Sequence, residues 1–274
     1  MKILGNVSAY EKKQFAEIIK WQNKKPSVAS SAVGYAMKPV EWLVQKIVPQ
    51  KAIQGALVAS NMLAENLTDM NDITRDGGVK CISELRHKDL KLSDDLANEV
   101  HNWANGIATT EGGAAGFFGV AGMVIDIPTL ITLSLRTIHK IGLCYGYECN
   151  TEKDRQFVYA IMSAAGANTI SEKAISVVTL QSLNVMIAKT TWKKMAEKAA
   201  TNAVGKEAGA IAIKGLAKQL GINITKRKAA QAIPVVGGLI GAAMNLAFMD
   251  DISWAARRSF QERWLLENRK IISK

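Results

Sequence analysis

Three cysteines in 274 residues, Cys81, Cys144 and Cys149, are too few and too widely spaced for a disulfide framework. Five prolines, spread between Pro26 and Pro234, argue against a sandwich of short strands punctuated by turns. Aromatic residues make up only 6% of the chain. None stands between Lys193 and Lys228, so that segment offers no platform on which nucleic-acid bases could stack. The signatures GxxxxGK followed by Ser or Thr, HExxH and GxSxG are absent, which removes the phosphate loop, the zinc-peptidase helix and the nucleophile elbow as routes to chemistry. His139, Cys144 and Cys149 are spaced at five residues, a rotation of about 140° per step on a helix, and no standard zinc spacing occurs. No metal or other cofactor is expected. A secretory leader would need about 7–15 consecutive apolar residues and a small-residue cleavage site. MKILGNVSAYEKKQF offers neither, and with the sparse cysteines this sets the expectation of a cytoplasmic protein.

What the chain does contain is helix-forming. Hydrophobic residues make up 48% and charged residues 22%, the balance of a folded chain rather than a disordered or polytopic one. Residues 8–22 place Tyr10, Phe15, Ile18, Ile19 and Trp21 largely on one side, with Ser8 and Glu11 spaced for a capping box. Further helical patterns run over 28–48, 51–67, 79–87, 93–107 (started by Ser93 or Asp94), 152–170 and 171–192. TDMNDITRDGG, residues 68–78, reads as a flexible loop. The expectation is an all-α, multi-helix assembly forming a single domain over 1–274.

Two apolar stretches form its Gly- and Ala-rich centre. Between Glu111 and Arg136 the charge is confined to Asp126, and Asp126-Ile127-Pro128 reads as a break with Asp126 capping a new helix. Residues 112–147 are therefore expected as a buried helical hairpin. Residues 232–249 run 18 positions without charge, at the threshold of roughly 17–25 for a membrane span. Pro234, Gly237, Gly238, Gly241 and Asn245 interrupt it, which favours a central packed helix over a span. An amphipathic helix over 250–268, with Trp254, Phe260 and Trp264, is expected to follow. Small residues at four-residue spacing, such as Gly142 with Gly146 and Gly237 with Gly241, read as close helix packing.

The formal net charge is +11, and residues 189–228 carry 10 basic against 2 acidic groups. Such a cluster attracts phosphate-bearing partners or simply forms a solvated face. Basic residues bordered by Ala, Ile and Leu suit an anionic membrane better than nucleic acid.

Three blocks in this sequence resemble the EcsC family of bacterial proteins. They are KPVEWLVQKIVP, the stretch from Trp103 through EGGAAGFFGVAGMVIDIPTLITLSLRTIHKIGLCYGY, and KRKAAQAIPVVGGLIGAAMNLAFMDDISWAARRSFQERWL. The motif positions are Pro39, Trp42, Asp126, Pro128, Tyr145, Gly146, Pro234, Gly237, Gly241 and Asn245. Glu148 departs from the Asp expected after YGY. The family is named for its association with an ABC-transporter operon. The resemblance therefore implies a helical protein linked to transport or secretion, and supplies no reaction and no catalytic residues.

Thr129, Thr132, Arg136 and His139 fall on one stripe of a helix, with Lys140 beside it. Arg136, His139 and Lys140 are candidates to hold a lipid phosphate, unless the stripe is a solvated edge. Lys193, Lys194, Lys198, Lys226, Arg227 and Lys228 are the second candidate set. The expected function is a non-enzymatic accessory protein at the cytoplasmic membrane face, its partners anionic lipid and a transporter or other membrane protein. The alternatives are a lipid-acting hydrolase or transferase using Asp126, His139 or Glu111, and a pore-forming helical protein. Oligomeric state is not legible in the sequence.

Overall fold

Ser8 opens the first helix as its spacing to Glu11 predicts. The backbone N–H of Glu11 donates to Ser8 Oγ at 3.1 Å, and the Ser8 N–H donates to Glu11 Oε2 at 2.6 Å. Helix α1 runs Ala9–Asn23. The structure is a computed structural model that describes residues 1–26, 69–115, 119–197, 223 and 237–272. The helices expected over 28–48 and 51–67 lie outside the described residues, with Pro39 and Trp42.

A six-residue helix α2 (Asn71–Asp76) and a 3-10 helix (Ile82–His87) precede four long helices. These are α3 (Leu90–Ala115), α4 (Gly119–Cys144), α5 (Glu152–Ala165) and α6 (Ile170–Glu197). Helix α7 (Gly237–Glu267) closes the described bundle and packs on α1, α3, α4, α5 and α6. The all-α assembly is as expected, and residues 237–249 of the second apolar stretch lie on this helix, against which five others pack. A two-residue antiparallel strand pair, β1 (Lys2–Ile3) with β2 (Ile271–Ile272), was not anticipated and ties the two ends of the described chain together.

Four local expectations need correction. The segment 68–78 holds α2, because Asp and Asn can begin a helix as well as a turn, and Gly78 (φ 57°) then ends it. Ser93 and Asp94 do not start their helix, which begins at Leu90. Asp126-Ile127-Pro128 is not a break: α4 passes through it. An interior proline forfeits one backbone hydrogen bond, at roughly 3 kcal/mol, a cost that the packing of a long apolar helix can offset. Residues 250–268 are not a separate amphipathic helix but the second half of α7, buried nearly all round. Among the described residues no helix is long and apolar enough to cross a membrane.

The Tyr-Gly pair has a specific structural cause. Helix α4 ends in a Schellman turn, in which Tyr147 N–H donates to Gly142 O at 2.8 Å and Gly146 N–H to Leu143 O at 2.8 Å. Gly146 takes φ 87°, and a Cβ there would lie 2.6 Å from the backbone nitrogen of Arg86. Arg86 Nε also donates to Gly146 O at 2.6 Å, so the 3-10 helix is seated on this turn. At Gly78, by contrast, φ is positive but a Cβ would meet nothing within 4 Å. Gly78→Ala should therefore cost only the left-handed backbone, about 1–2 kcal/mol. Gly146→Ala should cost clearly more in urea unfolding, because the 3-10 helix must also move. Equal losses at the two sites would refute the close-approach argument.

Candidate functional site

The polar stripe of α4 does not form one surface. Thr129 is exposed, Thr132 and Arg136 are half-buried, and His139 is buried. Burial pushes the His139 imidazole down to about 4, against the opposing charge of Asp154, so it is neutral at pH 7. It cannot offer a phosphate a positive charge there. Lys140 pairs with Asp72 of α2. Its Nζ and the Arg136 guanidinium lie 5.9 and 5.2 Å from the centroid of the Trp103 ring on α3. Asp126 and Pro128 lie on the same helix, and Asp126 is 13 positions from His139, about 20 Å along the axis at 1.5 Å per residue. These two cannot act on one small substrate group. Among the described residues no group of three or more His, Cys, Asp and Glu side chains could hold a metal ion.

The sequence reading missed the ionic interior around α7. Asp94 on α3 is buried and accepts three hydrogen bonds, from Tyr10 Oη at 2.7 Å, Tyr145 Oη at 2.5 Å and Gln261 Nε2 at 2.6 Å. Tyr145 is therefore placed by its hydroxyl as well as by its turn. Arg257 donates to Asn98 Oδ1 at 3.1 Å and stacks 4.6 Å from the Trp254 ring. Six residues further on, Arg263 donates to Asp154 Oδ1 at 2.7 Å and to Glu267 Oε1 at 3.0 Å, beneath the Tyr147 ring at 4.0 Å. Burial opposes ionisation of Asp154, but Arg263 and the Thr151 hydroxyl outweigh it and hold its pKa below the usual value. The signal in the sequence was Thr151 with Asp154, which form the capping box of α5. Asn245 is buried on the first half of α7, and Gly237 and Gly241 lie on the same helix.

The second candidate set continues from α6. On its outer face Ile175, Val178, Ser182, Met186, Lys189 and Lys193 follow one another at three- and four-residue steps. Ile175 and Val178 are 62% and 61% exposed, Met186 is 36% exposed, and Lys189 and Lys193 are exposed. Ile170, at the start of the helix, is 60% exposed. The face thus changes from apolar to basic along about 27 Å of helix. Lys194 lies in the last turn of α6, whereas Lys198, Lys226, Arg227, Lys228 and Pro234 lie outside the described residues.

Glu262 is a buried acid with no salt-bridge partner among the described residues. Gln22 Nε2 donates to its Oε2 at 2.6 Å. Glu262 Oε1 is a buried acceptor with no donor among the described residues. Burial accordingly raises this carboxyl from 4.5 to about 7. The folded chain then keeps a proton that the unfolded chain releases, so the contribution is full below about pH 4.5 and is lost as pH rises to about 7. At pH 8 the loss is about 3 kcal/mol at 1.36 kcal/mol per unit. Glu262→Gln should therefore be more stable than the parent in urea unfolding at pH 8 and nearly equal at pH 5. An unchanged difference at the two pH values would remove Glu262 as the cause.

Comparison with known proteins agrees with the three sequence blocks. The model of the EcsC protein family matches residues 12–265. The chain is also 27% identical over 192 residues to the uncharacterized protein YdbA of Bacillus subtilis (strain 168). That alignment covers 69% of this chain and 64% of YdbA, so the chain spans slightly less than two thirds of that relative. No solved structure matches. With nearly its whole length matched by the family model, the chain belongs to the EcsC family.

Proposed function

We propose that this protein is a non-enzymatic accessory protein that docks on anionic membrane surfaces through the outer face of α6 and the basic stretch that continues it. The observation that carries the reading is that face itself. An exposed Ile or Val in a water-facing position keeps apolar area in water at a cost of about 25 cal/mol per Å2, and here three such residues, Ile170, Ile175 and Val178, share the first three turns. Met186, Lys189 and Lys193 extend the face toward a segment with 10 basic and 2 acidic groups over 189–228. An apolar strip continued by cations suits the boundary between headgroups and acyl chains of an anionic leaflet. Each basic side chain near such a surface contributes about 1 kcal/mol, so four or five give reversible binding. The family's operon association makes a transporter in the same membrane a fitting neighbour. The lipid-acting enzyme and pore readings draw no comparable support: the imidazole proposed for the former is buried and neutral.

Cosedimentation with liposomes tests the reading. Binding should be strong to phosphatidylglycerol-rich vesicles, weak to phosphatidylcholine, and released at about 1 M salt, where the screening length falls to about 3 Å. Replacing Lys193, Lys194, Lys198, Lys226, Arg227 and Lys228 with Gln should weaken binding, and so should Ile175→Ser with Val178→Ser, with the thermal melt unchanged. Equal affinity for neutral and anionic vesicles, or wild-type binding by both variants, contradicts it.

A further inference from the structure

A cleft of about 370 Å3 lies between α1, the end of α5, the start of α6 and the middle of α7. That volume is in the range of small-ligand sites. Ala164, Ala165 and Ala167 give it an apolar patch, and the indoles of Trp21 and Trp254 line it. Its charged lining is unequal. Five cations, Lys20, Lys24, Lys25, Lys173 and Arg258, stand against Glu17, Asp250 and Asp251. The carboxylates are engaged within the protein: Glu17 lies 3.7 Å from Lys20 and 3.9 Å from Arg258, Asp250 lies 2.7 Å from His101, and the charge of Asp251 acts on Lys173.

Lys173 is the residue that the fold leaves unexplained. It is only 8% exposed, yet among the described residues its ammonium has no hydrogen-bond or ion-pair partner, and it sits 5.0 Å from the Trp21 ring. It is the fourth residue of α6, close to the positive end of that helix dipole, where a cation is disfavoured. Burial lowers its pKa, Asp251 opposes that shift, and Lys24 adds to it. A desolvated cation at a helix N-terminus, facing further cations, is costly as it stands and becomes favourable once a multiply charged anion enters.

We propose that this cleft binds a phosphate group, free or carried as a lipid headgroup, with Lys173 as its anchor and Lys24 and Arg258 as further charge. A phosphomonoester, at about −1.5 to −2 near neutral pH, matches several converging cations better than a carboxylate does. The alanines and indoles provide an apolar wall for what the phosphate is attached to. Lys173 and Ile175 are two residues apart, about 200° round the helix, so the cleft and the membrane-facing strip are different sides of α6. The proposal stands whether or not the strip meets a bilayer.

Isothermal titration calorimetry of the full chain in chloride buffer, with inorganic phosphate in one arm and dihexanoyl phosphatidic acid below its micelle concentration in the other, tests it without a membrane. Saturable one-to-one binding is expected, weakened about tenfold or more by Lys173→Met and by Lys24→Gln, and retained by Lys173→Arg. Lys80→Met, exposed and outside the cleft lining, should bind as the parent does. Tighter binding of the lipid assigns a headgroup, and equal binding assigns free phosphate. No saturable binding of either probe in the low-millimolar range overturns the proposal. So does binding undiminished in Lys24→Gln and in Lys173→Met that melts like the parent.

Discussion

The second half of α7 places charge at the centre of the bundle, and much of the remaining architecture answers that constraint. Arg257, Arg258, Glu262, Arg263 and Glu267 are each no more than 8% exposed. Removing such groups from water costs several kcal/mol per ion unless the surroundings return the lost hydrogen bonds. The helices that pack on α7 do so with polar residues at the points of contact. Gln14 and Gln22 come from α1, Asp94 and Asn98 from α3, and Asp154 from α5. Between them the contacts are Leu, Ile, Ala and a stack of Tyr145, Tyr147 and Phe157 around Phe260. Apolar contacts supply most of the driving force. The directional bonds hold the rotational register of each helix, which apolar packing alone leaves looser.

That arrangement separates inward from outward chemistry. The carboxylates that look catalytic by burial, Asp94 and Asp154, are engaged by tyrosine hydroxyls, an amide, a threonine and an arginine, and they serve packing. Lys173 and the face of Ile175 and Val178 have no such explanation in the fold. Both belong to α6, on opposite sides.

Local signals were readable from the sequence because they depend on neighbours in the chain. The capping box of Ser8 with Glu11 and the helical periods of α1, α5 and α6 are of this kind. What escaped depends on tertiary contact. Pro128 looked like a boundary because its local cost is high, and the packing that offsets it is not written in the adjacent residues. The charges of 250–267 looked like a solvated face because a sequence cannot show that Asp154, more than 100 residues earlier, meets Arg263. Asp94 looked like a cap for the same reason. Lys173 is one of 35 basic residues, and only its burial sets it apart.

The charged half of α7 is among the most enclosed parts of the described protein. Native-state hydrogen exchange measured peptide by peptide tests it directly, since local opening free energies range from near zero at frayed surfaces to the global value in the core. The slowest exchange is expected in peptides covering 252–266, at the limit set by global unfolding. Rapid exchange there, with protection concentrated elsewhere, would show 250–268 to be a surface helix and contradict it.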